Sequence, residues 1–431
     1  MKILLFSDQY YPLGGGIEQY LKGLGGELSR QGHEITILTR SIEGCPEREE
    51  TSEGLVVRTP LLLDAIPDPW KVLGRWRELT PLIERINPDV IFANHHTSLA
   101  AICASRQAGI PVIYGCHGWG LLCPLKIRLL RPNGSLCYNE RGLKNCLQCL
   151  KDLRMRSGKN HWVWRVALFP KDCVTTWRKV ARFDYGVALI NAANARIANS
   201  QLTASLFPTA NTYAIHLGVD GKLYYPTDAK AFLKINGIKD PYVFVPGRLV
   251  PVKGHEWAIH ALSLMPKEFN MVIAGGPLVA KEGSETSYVR RLKKLVSMLH
   301  LEERVFWVGD LDLPMLREAY SGAVATIVPS VWLESFGYVT VESMACETPV
   351  VVTQNCGSAE IVEDGKEGFV IPRMQAKEIA DAVMRINAQR QLMGRRARGK
   401  VLRELCWPLV AYRVLEVFNS VCCRQPKGNE N

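Results

Sequence analysis

The chain has 431 residues, of which 47% are hydrophobic and 22% are charged, and its formal net charge is +11. This length predicts two domains of roughly 100–200 residues each, and the composition excludes general disorder. The sequence holds no apolar run of about 18 residues, so we expect no membrane-spanning helix, whereas the positive charge favours an anionic partner: a nucleotide, a nucleic acid or an acidic membrane surface.

The first half of the chain alternates short apolar runs with helical patterns. The apolar start is too short for a signal peptide, so it predicts a buried strand in a cytoplasmic protein. A helix is predicted over residues 17–31, because Leu21, Leu24 and Leu28 share one face. Strands are predicted over residues 2–6, 34–38, 89–92, 111–114 and 195–198. This alternation indicates a parallel sheet that is covered on both faces.

Two motifs follow strands of this half. Gly14, Gly15 and Gly16 lie between the first strand and the first helix, where glycines let the backbone approach a ligand closely. His117 follows the strand over residues 111–114, at the edge where such sheets bind ligands. A flexible loop and a structural histidine are the alternative interpretations.

Four cysteines have the spacing C-x13-C-x8-C-x2-C, and they lie in an insertion over residues 117–150. Four thiolates satisfy tetrahedral zinc, and a metal would fix an insertion that buries little core. The sequence therefore predicts a structural zinc site. An iron–sulfur cluster and unligated thiols in a mobile acceptor loop are the alternatives, and disulfides are not expected in a reducing compartment. The four are Cys123, Cys137, Cys146 and Cys149.

A basic and aromatic stretch covers residues 151–182. The mixture suits an anionic membrane surface. Nucleic-acid binding and a partly solvated helical pair are the alternatives. The residues that produce the pattern are Arg154, Arg156, Lys159, Arg165, Arg178 and Lys179, with Trp162, Trp164, Phe169 and Trp177 between them.

The second half repeats the alternation. Two doubly wound series predict two Rossmann-like α/β domains, with ligands bound at the carboxyl ends of the strands in a cleft between them. The predicted domains are residues 1–217, completed by an apolar helix over 406–420, and residues 218–405. Strands are predicted over residues 242–245, 271–274, 305–308, 325–328 and 350–352, and helices over residues 288–299 and 376–385.

Two motifs in the second half suit a nucleotide ligand. Arg248 and Lys253 share a glycine-flanked loop, and their planar fork and point charge suit a diphosphate, with a solvated basic loop as the alternative. Glu334 and Glu342 are eight positions apart, about 12 Å along an ideal helix. This is too far for the paired carboxylates of a glycoside hydrolase. Each glutamate is therefore expected to bind a different part of one ligand, beside a helix start at Gly337 whose amides can hold a phosphate.

Together these motifs resemble the retaining GT-B glycosyltransferases, specifically glycosyltransferase family 4. The family's G-R-x-x-x-x-K-G segment matches residues 247–254, and its E-x-F-G-x-x-x-x-E segment matches residues 334–342. The family's E-A-M-A-x-G-x-P-V-V segment corresponds to residues 342–351, where Glu347 replaces the usual glycine. The resemblance covers nearly the whole chain and implies the GT-B fold.

The resemblance also implies roles. Arg248 and Lys253 grip the donor diphosphate, and Glu334 binds the hydroxyls of the donor sugar. The remaining positions have a ligand contact each: Glu342 with the ribose, the amides of Phe336, Gly337 and Tyr338 with the phosphates, Gly309 with the base, His117 with the transferred sugar, and Gly14, Gly15, Gly16 and Glu18 with the donor phosphate and the acceptor. No catalytic metal is expected, because the cationic side chains replace it.

The expected function is retaining transfer of a hexose from a UDP- or GDP-linked donor. The expected acceptor is a saccharide or a lipid-linked molecule in cell-surface polysaccharide or lipopolysaccharide biosynthesis, and the expected location is the cytoplasm or the inner face of the membrane. A nucleotide-sugar 2-epimerase of the same fold is one alternative. A metal- and nucleic-acid-binding protein is another, although it leaves the two glutamates and the cationic pair without a role, so nucleic acid is not the expected partner.

Overall fold

The computed structural model describes residues 1–63, 69–94, 98–118, 120–125, 129–138, 140, 142–156, 169–207, 209–239, 241–276 and 285–423. The chain divides into two compact units. Unit 1 comprises Met1–His216 and Trp407–Asn431, and unit 2 comprises Leu217–Cys406.

Unit 1 is built on an eight-stranded sheet with the order β3-β4-β2-β1-β5-β6-β7-β8. Every neighbouring pair is parallel except β3 and β4. The central strands are buried along nearly their whole length, which is why they read as continuous apolar runs. The strands are β1 (Lys2–Ser7), β2 (Glu34–Arg40), β3 (Arg48–Thr51), β4 (Gly54–Thr59), β5 (Val90–Asn94), β6 (Val112–Cys116), β7 (Ala195–Ala198) and β8 (Thr212–Ala214).

Unit 2 is built on a six-stranded parallel sheet with the order β11-β10-β9-β12-β13-β14. Its core lies between this sheet and its helices, and apolar side chains such as Ile259, Leu292 and Val383 are completely buried there. The strands are β9 (Tyr242–Pro246), β10 (Asn270–Ala274), β11 (Val305–Gly309), β12 (Thr326–Val328), β13 (Val350–Thr353) and β14 (Gly368–Ile371).

The helices cover the faces of both sheets. Those of unit 1 are α1 (Gly16–Arg30), α2 (Pro69–Gly74), α3 (Trp76–Ile86), α4 (Ser98–Ala108), α5 (Leu143–Arg156), α6 (Phe169–Asn191) and α7 (Gln201–Ala204). Those of unit 2 are α8 (Lys230–Asn236), α9 (His255–Leu264), α10 (Ser287–Met298), α11 (Leu313–Gly322), α12 (Tyr338–Ala345) and α13 (Ala376–Glu404), and α14 (Trp407–Cys422) returns to unit 1.

The last helix is fitted closely to the first one. A Cβ atom added at Gly23 of α1 would lie 2.1 Å from the indole ring of Trp407, so only glycine lets α14 approach here. The Tyr20 ring lies 5.9 Å from the Trp407 ring between their centroids. The C-terminal helix is therefore an integral layer of unit 1.

The predicted elements occur with end shifts of one or two residues, and one helix was predicted too short. Helix α13 continues to Glu404 beyond a kink at Gln389, whose φ is −135°. The continuation is rich in arginine, and only Met393, Ala397 and Val401 carry its apolar spacing. Strands β3, β4, β8 and β14 were not predicted. Of these, β3 is charged and β8 has only three residues, so neither shows apolar alternation.

Within the part of the chain that the structure describes, every helix is too short or too polar to cross a membrane.

Candidate active site

The loop of residues 247–254 follows β9 at the carboxyl edge of the unit 2 sheet. It turns on Gly247, whose φ is +133°, and on Gly254, whose φ is +72°. A Cβ atom at Gly254 would lie 2.1 Å from the carbonyl oxygen of Pro329, and one at Gly275 would lie 2.2 Å from that of Gly247. These close backbone contacts hold the loop against the ends of the neighbouring strands.

The loop places Lys253 against Glu334. The Lys253 ammonium donates a hydrogen bond to Oε1 of Glu334, and the Ser330 hydroxyl donates one to Oε2. The Cys356 thiol lies 3.9 Å from the same Oε2 atom. The backbone of Glu334 is also fixed, since its N–H donates to the Asn355 carbonyl at 3.0 Å. This arrangement orients both oxygens of a carboxylate that is only 6% exposed.

The charge of Glu334 is stabilised despite its burial. Burial by itself raises the pKa of this carboxyl, but the Lys253 charge, the hydrogen bonds from Lys253 and Ser330, and the Arg248 charge together lower it below its ordinary value. Glu334 is therefore ionised at neutral pH and can accept hydrogen bonds from a ligand. Arg248 is exposed, so its guanidinium is accessible to an anion.

Helix α12 begins beside this carboxylate. Gly337 precedes it with a φ of +100°, and a Cβ atom there would lie 3.6 Å from Cδ of Glu334. No side chain caps the helix start. The Phe336 side chain is 1% exposed and its carbonyl accepts a hydrogen bond from the Ser358 amide at 3.1 Å. The first-turn amides of the helix, including that of Tyr338, and the positive end of its dipole thus lie next to the Lys253–Glu334 pair.

Glu342 lies on the same helix and is buried rather than exposed at the surface. The Tyr224 hydroxyl donates to its Oε1 at 3.0 Å, and the Tyr320 hydroxyl donates to its Oε2 at 2.9 Å. Burial first, and then the Glu342 charge, raise the pKa of Tyr320 well above its ordinary value. Tyr320 therefore remains a proton donor that orients the carboxylate.

Gly309 ends β11 with a φ of +67°, and its carbonyl accepts a hydrogen bond from the Gly275 amide at 2.7 Å. The next residues, 310–312, form a D-x-D segment in a loop, and both of its carboxylates accept hydrogen bonds from backbone amides. Asp310 accepts from the Gly276 amide at 2.7 Å, and Asp312 caps α11 by accepting from the Met315 amide at 3.0 Å.

His117 lies at the carboxyl end of β6 in unit 1. Its Nε2 atom is 2.7 Å from Oδ1 of Asn94, whose amide nitrogen donates to the Phe92 carbonyl at 2.9 Å. Because Oδ1 can only accept, Nε2 carries the proton in this hydrogen bond. The imidazole also lies 5.0 Å from the Tyr20 ring between centroids. Asn94 therefore fixes the orientation of His117.

The glycines near the start of unit 1 lead directly into α1. Space around Gly14 is open, whereas a Cβ atom at Gly15 would lie 2.5 Å from Oε2 of Glu18. Glu18 is 2% exposed and lies in the first turn of the helix that begins at Gly16. A side chain at position 15 would displace this carboxylate, so the glycine and the glutamate form one packed element.

The four predicted cysteines lie together in unit 1, where none of them is in a disulfide bond and all line one cavity of about 30 Å³. Across the described ranges, no three His, Cys, Asp or Glu side chains stand in an arrangement that could hold a metal ion. Metal binding at Cys123, Cys137, Cys146 and Cys149 therefore remains a prediction.

Part of the predicted basic and aromatic stretch falls on residues 157–168, which lie outside the described residues together with the side chains of residues 154–156 and 169. The residues outside the description include Lys159, Trp162, Trp164 and Arg165. The side chains outside it include those of Arg154, Arg156 and Phe169. The described remainder lies on α6, where Trp177 is 58% exposed.

The structure brings Lys253 and Glu334 into contact and places the start of α12 beside them, as a shared ligand would require. The sequence did not indicate four of the side chains that orient the site: Ser330, Tyr224, Tyr320 and Asn94. Ser330 and Asn94 have a recognisable signal, since each is a polar residue directly at or after the carboxyl end of a buried strand. The tyrosines have none, because their partner Glu342 is distant in the sequence.

Two protein-family models match the chain. The model "Glycosyl transferases group 1" matches residues 228–399, within unit 2, and the model "Glycosyltransferase Family 4" matches residues 14–150, within unit 1. Together the two matched segments include the motif residues that were predicted in the first and the second half of the chain.

Curated relatives carry the same kind of activity in their names. A D-inositol 3-phosphate glycosyltransferase of Acidothermus cellulolyticus is 34% identical over 39% of this chain and 39% of its own length. A GDP-mannose-dependent alpha-(1-6)-phosphatidylinositol monomannoside mannosyltransferase of Mycolicibacterium smegmatis is 25% identical over 88% of each chain. This chain thus spans only about two fifths of the length of the first relative, and the match to the second is longer but weaker.

Solved structures of glycosyltransferases share the fold. The sucrose-phosphate synthase of Thermosynechococcus elongatus superposes with a TM-score of 0.72 at 22% identity, covering 98% of this chain and 100% of the other. Anabaena HepE in complex with UDP-glucose superposes with a TM-score of 0.69 at 21% identity, covering 97% and 100%. At this identity the likeness shows a common architecture of two parallel-sheet α/β domains.

Proposed function

Because the chain belongs to the family 4 glycosyltransferases of GT-B fold, we propose that it transfers a hexose from a UDP- or GDP-linked donor with retention of configuration. The single observation that carries this proposal is the contact between Lys253 and Glu334 beside the start of α12. It places a cation, an ionised carboxylate and a set of backbone amides where one nucleotide sugar can use all three.

The cationic side chains suit a diphosphate leaving group. Negative charge grows on the diphosphate as the glycosidic bond breaks, so fixed cations stabilise the transition state more than the bound donor. Lys253 is held in place by Glu334, whereas the exposed Arg248 guanidinium can move onto the phosphates. In this proposal the two cations take the place of a divalent metal ion.

The two glutamates suit the hydroxyl-bearing parts of the donor. Glu334 is ionised and oriented from both sides, and its contact with the proposed diphosphate cation Lys253 supports a role in binding the sugar that the diphosphate carries. Glu342, on helix α12, accepts hydrogen bonds from the hydroxyls of Tyr224 and Tyr320, and it is the proposed contact to the ribose. His117 of unit 1, oriented by Asn94, is the proposed contact to the transferred sugar.

The acceptor is proposed to be a saccharide or a lipid-linked molecule in cell-surface polysaccharide or lipopolysaccharide biosynthesis, reached from the inner face of the membrane. Support comes from the name of the M. smegmatis relative, which includes a phosphatidylinositol mannoside. It also comes from α6, where Val174, Trp177 and Tyr185 are each about half exposed among exposed basic residues such as Arg178 and Lys179. Such a surface suits anionic lipid.

The proposal is tested with donors and with single substitutions. Thermal unfolding in a panel of nucleotide sugars should show stabilisation by one UDP- or GDP-hexose above its free nucleotide. Lys253→Ala and Glu334→Ala should each lower the transfer rate on the order of 10²–10³-fold, as expected for the loss of one contact made to developing charge.

Matched controls are available in the same unit. Lys267→Ala and Glu268→Ala remove an exposed lysine and an exposed glutamate outside the site, and both should leave transfer unchanged. Unchanged transfer by Lys253→Ala or Glu334→Ala, or stabilisation by none of the nucleotide sugars, would contradict the proposed function.

A further inference from the structure

We propose that Cys123, Cys137, Cys146 and Cys149 bind one structural zinc ion in unit 1. This site lies outside the proposed transfer chemistry. The four cysteines line one cavity, and they come from two pieces of chain: the loop segments before helix α5 and the helix itself. Zinc would join these two pieces into one rigid segment.

The first pair of thiols is on a helix. Cys146 and Cys149 are three positions apart in the first two turns of α5, so their side chains share one face. Both are 8% exposed, and both line the cavity. A helix that buries two cysteines at this spacing presents two sulfurs to one point, as the C-x-x-C half of many zinc sites does.

The second pair lies on the facing loop. The chain from Leu129 to Cys137 forms a tight turn, in which the Cys137 amide donates to the Leu129 carbonyl at 2.8 Å and the Arg131 amide donates to the Ser135 carbonyl at 2.8 Å. This turn carries Cys137 to the cavity, and Cys123 reaches it from the preceding loop with only 8% exposure. All four cysteines therefore line the same cavity.

The size and charge of the cavity suit a metal ion. Its volume of about 30 Å³ exceeds the roughly 10–15 Å³ that one enclosed water molecule needs, so the cavity has room for an ion. Four thiolates around Zn²⁺ carry a net charge of −2, and the Arg131 guanidinium, which also lines the cavity and interacts with Cys137, offsets part of it. Binding is written as four S–H protons released to solvent and four Zn–S bonds formed, with no change of oxidation state.

The thiols must rotate to coordinate zinc. Within the described residues, no three candidate ligands stand in metal-binding geometry. Zinc–sulfur bonds of about 2.3 Å require sulfurs at the corners of a small tetrahedron, and a change between staggered χ1 rotamers moves a cysteine sulfur by roughly 3 Å. The proposal therefore requires side-chain rotation around the shared cavity.

Metal content tests the proposal without reference to activity. The full-length protein, produced in zinc-supplemented medium and purified without chelator, should contain about one zinc and no iron per chain by elemental analysis. Cys146→Ser combined with Cys149→Ser should remove the zinc. Cys423→Ser, which changes an exposed cysteine outside the cluster, should retain it.

A second measurement uses the unmutated protein, in case the double variant does not fold. Removal of the metal by a chelator should expose four additional thiols to a thiol reagent under native conditions, and stoichiometric zinc should protect them again. Three results would overturn the proposal: iron instead of zinc, a disulfide between cluster cysteines, or thiols that react equally with and without added zinc. None of these results bears on nucleotide-sugar transfer, so the two proposals fail separately.

Discussion

Glu334 is the residue on which the chemistry of unit 2 depends, and its ionisation depends on Lys253. A carboxyl group that is only 6% exposed ordinarily has a higher pKa than one in water, because burial disfavours the charged form. The ammonium of Lys253, the hydroxyl of Ser330 and the charge of Arg248 reverse that effect and lower the pKa. The stabilisation that this lowered pKa gives is present above the pKa of the unfolded carboxyl and is lost as the pH falls through the folded-state pKa.

The substitution Lys253→Met should invert this pH dependence. Without the ammonium, burial raises the pKa of Glu334. The free energy of unfolding of the variant is therefore reduced at neutral pH, and this reduction becomes smaller as acid protonates the carboxyl. Breaking a buried ion pair typically costs about 3 kcal/mol. The free energy of unfolding, measured with urea from neutral pH down to about 4.5, should show the largest deficit at neutral pH.

The control for this experiment is Lys267→Met, which removes an exposed lysine of the same unit. Its stability should follow that of the unmutated protein at every pH, within about 0.5 kcal/mol. A deficit of Lys253→Met that is constant across the pH range would mean that Glu334 does not depend on Lys253 for its charge.

At the scale of elements, the site is held by glycines at the ends of strands. The loop of residues 247–254 can pass close to Pro329 only because Gly254 lacks a Cβ atom and has a positive φ. The same loop carries both proposed diphosphate cations. The fit of this turn therefore determines where Lys253 meets Glu334.

The substitution Gly254→Ala should destabilise unit 2 and reduce transfer together. A methyl group there would lie 2.1 Å from the Pro329 carbonyl oxygen, so the loop must shift. Gly365→Ala is the control, because its φ is +79° but the nearest atom to its added methyl group lies 3.9 Å away. This control should lower the free energy of unfolding by only about 1–2 kcal/mol, the cost of a left-handed backbone conformation at a residue with a Cβ atom. Thermal unfolding and transfer assays should show a larger loss for Gly254→Ala, and equal losses would contradict the steric explanation.

The sequence predicted the elements that bury apolar side chains, and it missed relations that arise only in three dimensions. Strands β9 to β13 and the motif loops follow local apolar periodicity and glycine position, so they can be read from the chain. The hydrogen bonds from Tyr224 and Tyr320 to Glu342 cannot, because each depends on how separate elements pack. The tyrosine side chains that orient Glu342 therefore became visible only in the structure.

At the scale of the whole molecule, the charge of +11 and the pI of about 9.0 favour encounter with anionic partners. Exposed basic residues alone bind many polyanions, so the charge does not choose between a nucleotide and a membrane. Helix α6 adds a second feature, since Trp177 and Tyr185 are more than half exposed beside basic side chains. An aromatic ring that inserts at the headgroup level distinguishes lipid from a soluble anion.

Flotation with vesicles tests the membrane proposal. The protein should float with vesicles of phosphatidylcholine and anionic phosphatidylglycerol at low salt, and not with phosphatidylcholine alone, because attraction between its net positive charge and the lipid is screened by salt. Trp177→Ser combined with Arg178→Ser should reduce the floated fraction several-fold. Tyr412→Ser removes an aromatic side chain that is 57% exposed on α14, and it should float like the unmutated protein. Equal flotation of all three proteins would place the lipid contact elsewhere than α6, and the absence of flotation at low salt would remove the proposed membrane association.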